Sequence, residues 1–90
     1  TKLNKYSLEQ NYPNPFNPIT KIKFTIPYTQ YVSVKIFDAL GKYIMNICNE
    51  EKPSGTYELS VDGNGLSSGI YFYQLQAGNF IETKKFILTK

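Results

Sequence analysis

At 90 residues, with 41% apolar and 19% charged side chains, the chain has the size and composition of one globular domain, able to fold alone but only marginally stable. Its net charge of +3 comes from ten lysines scattered along the sequence with no arginine, which speaks against the clustered, bidentate cationic surface of a nucleic-acid reader. No histidine is present, so the commonest general base and metal ligand is missing, and no apolar run approaches the roughly 18 residues that span a bilayer.

Residues 1–7 are mostly polar and read as a linker remnant, leaving residues 8–90 as the domain. A first residue of Thr1 rather than Met suggests a processed or excised piece, with any leader upstream in the parent protein. Asn11-Tyr12-Pro13-Asn14-Pro15-Phe16-Asn17-Pro18 follows. Pro13, Pro15 and Pro18 each push the preceding residue toward extended geometry, so this is a stiff crossing segment with Phe16 as its inward anchor. The Pro-x-x-Pro pattern of residues 15–18 lacks a flanking arginine and is weak as a recognition ligand.

From Ile19 the pattern has period two. Ile22, Phe24 and Ile26 alternate with Lys21, Lys23 and Thr25 in a half-buried strand that Pro27 ends, and Val32, Val34 and Ile36 alternate with Ser33 and Lys35 in a second. Gly41 marks a tight turn, after which residues 43–48 return as a hairpin partner and residues 49–55 read as a loop. Tyr57, Leu59 and Val61 form the fourth strand, residues 62–69 a long turn, and Tyr71, Tyr73 and Leu75 the fifth strand. Gly78-Asn79 turns the chain into the last strand, residues 80–88. Apolar residues never recur at helical spacing for two turns. Six to seven short strands with this punctuation predict an all-β, Ig-like antiparallel β-sandwich, in the architectural sense only, because the Cys-Trp-Cys hallmark of antibody domains is missing.

Little in this chain suggests catalysis. Cys48 is the only cysteine and sits in an apolar stretch with no histidine to activate it, so it reads as a small buried hydrophobe. Glu50 and Glu51 are the only adjacent carboxylates and share a polar segment with Lys52, which suits a solvated turn. Asp62-Gly63-Asn64-Gly65 superficially suits calcium, but no further acid follows until Glu82, and a Gly-rich turn accounts for it. Tyr28, Tyr31, Tyr43, Tyr57, Tyr71, Phe72 and Tyr73 raise the idea of a sugar-stacking platform, yet the alternation gives Tyr57 and Tyr71 to the core, and Phe72 and Tyr73 face opposite ways. The reading is no enzyme, no cofactor and no metal.

The eight-residue opening, followed by Thr20-Lys21-Ile22-Lys23-Phe24-Thr25-Ile26-Pro27, resembles the start of the type A C-terminal sorting domain of the type IX (Por) secretion system. Further matches are residues 34–41, Asp62-Gly63, Leu66-Ser67-Ser68-Gly69-Ile70-Tyr71-Phe72-Tyr73 and the closing Thr83-Lys84-Lys85-Phe86-Ile87-Leu88. Val61 departs from the pattern, since relatives often carry Trp before the Asp-Gly.

The resemblance implies a folded, non-catalytic address on a larger secreted cargo. The address is read by the translocon after transit through the periplasm, then usually removed by a sortase-like peptidase, and the cargo ends up secreted or at the cell surface. By the same resemblance, recognition falls on the closing strands: Gly69, Tyr71, Lys84, Lys85, Phe86 and Leu88. A last strand at a sheet edge is open to capture by strand addition. The isolated domain is expected to be monomeric. Two alternatives from other classes are a carbohydrate-binding or adhesive Ig-like module of a secreted enzyme, and a purely structural Ig-like linker.

Overall fold

The computed structural model describes residues 5–89. Seven strands run in order β1 (Ser7–Leu8), β2 (Ile19–Ile26), β3 (Gln30–Asp38), β4 (Tyr43–Lys52), β5 (Gly55–Asp62), β6 (Gly69–Ala77) and β7 (Phe80–Leu88), and the described residues contain no helix. They form two antiparallel sheets, β1-β2-β5 and β4-β3-β6-β7. This strand order is that of an Ig-like sandwich, as the sequence pattern predicted.

The alternation becomes a two-sided core. Thr20, Ile22, Phe24 and Ile26 from β2 face Val32, Val34 and Ile36 from β3, Tyr71, Tyr73, Leu75 and Ala77 from β6, and Phe86 and Leu88 from β7, all buried. Val61 fills the position where relatives often carry Trp and is fully buried. Tyr57 and Leu59 are only half-buried because β5 is the edge of its sheet.

Two stretches differ from the sequence expectation. Residues 49–52, read as loop, continue β4: Asn49, Glu50, Glu51 and Lys52 pair with Ser33, Val32, Tyr31 and Gln30. β4 is also an edge strand, so it needs no apolar alternation to pair, and the loop shrinks to residues 53–54. At the other end, paired backbone begins at Ser7, opposite Thr25, and the Tyr6 ring stacks on Phe80 with centroids 4.7 Å apart. The earlier part of the stretch read as linker, residues 1–4, lies outside the described residues, as does Lys90.

Turns are built locally. The Asp38 carboxylate accepts the N–H groups of Leu40 and Lys42, both at 2.9 Å, while Gly41 supplies the positive φ of 86° that closes the turn.

Candidate functional site

The opening segment fastens both sheets. Its first part runs beside β2: the Glu9 N–H donates to Lys23 C=O, and Tyr12 bridges to Lys21. It then crosses to the other sheet, where Phe16 forms a parallel bridge with Leu88. The Tyr12-Pro13, Asn14-Pro15 and Asn17-Pro18 peptide bonds are all cis. Phe16 is buried and meets the Phe86 ring edge-on at 4.9 Å. Pro18 C=O accepts the N–H of Gly63 at 2.7 Å, which binds the end of the segment to the β5–β6 loop.

A buried polar cluster holds the crossing. The Asn11 side-chain amide donates to Pro13 C=O and to Thr20 Oγ1, and the Thr20 hydroxyl donates in turn to Pro13 C=O at 2.8 Å. The Tyr73 hydroxyl, fully buried, accepts the Asn11 backbone N–H at 2.8 Å and donates to Glu9 C=O at 2.7 Å. Burial pushes the Tyr73 hydroxyl up to about 12 despite the Asn11 N–H, and the Glu82 charge adds to the rise. No buried side-chain polar atom among the described residues lacks a partner. Asn11 precedes the alternating pattern, and Thr20, though in phase with Ile22, Phe24 and Ile26, is polar, which is why sequence reasoning passed over them.

The same segment covers part of β7. Gln10 donates its side-chain amide to Lys85 C=O at 2.6 Å, and Asn14 Oδ1 accepts the Ile87 N–H at 2.9 Å. Phe16 donates its N–H to Ile87 C=O at 3.0 Å and accepts the Thr89 N–H at 2.9 Å. The two ends of the chain, far apart in sequence, are therefore one structural unit.

The residues assigned to recognition by resemblance divide sharply. Tyr71, Phe86 and Leu88 are core side chains, and the rings of Tyr71 and Tyr73 lie 5.6 and 5.8 Å from that of Phe86. The Tyr71 hydroxyl donates to Ser67 C=O four residues upstream at 2.6 Å, the tyrosine corner that pins the loop entering this strand of Ig-like sandwiches. Gly69 begins β6 opposite Leu88. Lys84 is half-buried on the inner side of β7 and pairs with Glu82 at 3.4 Å, whereas Lys85 is exposed on the outer side. Lys85 alone of the six presents an exposed side chain.

Elsewhere, Cys48 is buried with its thiol pushed up chiefly by desolvation, and Asp62 Oδ1 is taken by the Asn64 N–H at 2.9 Å. Among the described residues no group of His, Cys, Asp or Glu has the arrangement of a metal site.

The family model of the secretion system C-terminal sorting domain matches residues 10–89. The chain belongs to the type IX (Por) C-terminal sorting domain family. No curated protein matches it. The matched stretch runs from the residue that donates to Lys85 to the residue that donates to Phe16, so the sorting domain as a family unit coincides with the fastened fold. It is a C-terminal sorting signal for type IX secretion, part of a larger secreted protein destined for the cell surface or beyond.

Proposed function

We propose that this domain is a non-catalytic address, recognised through its closing strands by the type IX translocon after its cargo reaches the periplasm, and then removed by a sortase-like peptidase. The family match over residues 10–89 carries the reading. The geometry supports it. The chain enters beside Gln30, to which the Tyr6 hydroxyl donates at 3.1 Å, and beside Phe80, at the β6–β7 hairpin end. Leu88 and Thr89 lie at the opposite end, with Phe16 and Gly63, along a molecule 39 Å long. The described chain therefore begins at the end of the domain away from Leu88 and Thr89. In this reading residues 1–7 are the linker and residues 8–90 the domain, with Tyr6 and Ser7 already in contact with it.

The test is a reporter exported to the periplasm and fused to residues 1–90 in a host with the system. Appearance of the reporter outside the outer membrane is expected, and retention in the periplasm would overturn the reading. A glycan-binding or adhesive role has one observation in its favour. A groove of about 500 Å³ on the outer face of the four-stranded sheet is lined by Tyr31, Ser33, Lys35, Asn46, Asn49 and Gln76. The same fusion tests this second role: loss of polysaccharide retention by Tyr31→Ala would support it.

A further inference from the structure

The parallel bridge to Phe16 fixes which backbone groups of β7 face outward. Ile87 C=O and Thr89 N–H point to Phe16, so the odd-numbered residues of β7 turn their backbone groups away from β6. Pairing between β6 and β7 runs unbroken from Gly69↔Leu88 to Ala77↔Phe80, so this parity holds along the whole strand. From Lys85 C=O onward the outward groups are occupied by Gln10, Asn14 and Phe16. Before that point they are not. The N–H and C=O of Ile81 and Thr83 and the N–H of Lys85 have no partner among the described residues.

We propose that this short stretch, Ile81 to Lys85, is the docking edge for an extended strand of another protein, with the opening segment setting its limit. The proposal rests on the sorting reading and specifies the chemistry of the partner: a backbone in β conformation, not a pocket for one side chain. Main-chain groups give affinity in such pairing, and neighbouring side chains give selectivity. Here Ile81 is 56% exposed, and Thr83 and Lys85 are exposed beside it.

Pairing between two copies of this chain is disfavoured. Glu82 and Lys84 put charge on the inner side of the edge, a device that keeps like edges apart. The partner is therefore a different protein whose strand is offered at the matching length.

Proline separates this from a generic loss of fold. At Ile81 or Thr83 it removes an N–H that bonds nothing within the domain, a placement edge strands tolerate. At Glu82 it removes an N–H that bonds β6. Fused reporters carrying Ile81→Pro, Thr83→Pro, Thr83→Ala and Glu82→Pro are compared for export and for thermal unfolding after purification.

The expected result is that Ile81→Pro and Thr83→Pro unfold within a few degrees of the parent yet lose at least tenfold in export. Thr83→Ala is exported normally, and Glu82→Pro is strongly destabilised. Normal export of folded Thr83→Pro and Ile81→Pro, with the unaltered reporter also exported, overturns the edge assignment alone. Unfolding of both variants overturns the parity on which it stands, and a concentration-dependent dimer of the parent lost in Thr83→Pro overturns the choice of a different protein as the partner. An unaltered reporter that stays periplasmic overturns the sorting reading and this proposal with it.

Discussion

The N–H of Ile87 donates to the side-chain oxygen of Asn14 across 73 positions of sequence, at 2.9 Å. It is the contact by which an asparagine of the opening segment occupies a main-chain donor of the last strand. Replacing Asn14 with Ala removes it at a solvent-exposed site, so the expected loss is at the low end of the hydrogen-bond range, about 0.5 to 1 kcal/mol. The sharper measurement is amide hydrogen exchange. Ile87 should exchange faster in Asn14→Ala while Phe86, bonded to β6, stays protected; equal protection of both in the variant would contradict this role.

Tyr73→Phe is expected to cost about 1 to 3 kcal/mol, since it leaves Glu9 C=O and the Asn11 N–H unpaired in the core. The pH dependence follows from burial, which raises the hydroxyl from 10.0 to about 12. Because the folded-state value is the higher one, the stabilisation is complete below about pH 10 and disappears as pH rises through about 12. The gap in stability between parent and Tyr73→Phe should therefore narrow over that interval, by up to about 3 kcal/mol. Denaturant titrations of both proteins from pH 9 to 12 would read it, and a constant gap would count against the burial of this hydroxyl.

Gly63 has no room for a side chain. A Cβ there would lie 2.8 Å from Leu88 Cδ1 and 3.1 Å from the backbone oxygen of Pro18. The leucine can rotate, but the carbonyl belongs to the Gly63–Pro18 hydrogen bond and cannot withdraw without breaking it. Gly63→Ala should cost about 1 to 3 kcal/mol, measured by chemical denaturation. Gly65→Ala does not share the steric clash, because a Cβ there meets nothing within 4 Å.

Cys48 should be silent toward alkylating reagents in the folded domain. It is 8% exposed, and desolvation raises its thiol, so little thiolate is available at neutral pH. Labelling with iodoacetamide at pH 8 is expected to be slow until denaturant unfolds the chain. Rapid labelling of native protein would show that β4 opens on its own.

The strands β2, β3, β5, β6 and β7 were legible because each buries one face and leaves the other in water, which writes period two into Ile22–Phe24–Ile26 or Tyr71–Tyr73–Leu75. The second half of β4 was not, since an edge strand carrying Asn49, Glu50, Glu51 and Lys52 needs no apolar face to pair. Tyr71 reads correctly as core, but its hydroxyl partner, Ser67, is not legible, and neither are Glu9 and Asn11, the partners of the Tyr73 hydroxyl. A tyrosine just inside a strand that follows a long turn is the available signal for the first of these. Nothing local announces the second, or the covering of β7 by residues 10–16. Those are contacts between the ends of the chain, and sequence patterns report neighbours.

That long-range fastening has a consequence for timing. The core cannot close until Phe86 and Leu88 reach Phe16, and the edge of β7 is capped only when Thr89 meets the Phe16 carbonyl. Such non-local closure is slow, and it is impossible for a chain still missing its final strand. A product terminated within β7 would therefore carry an unfinished tag.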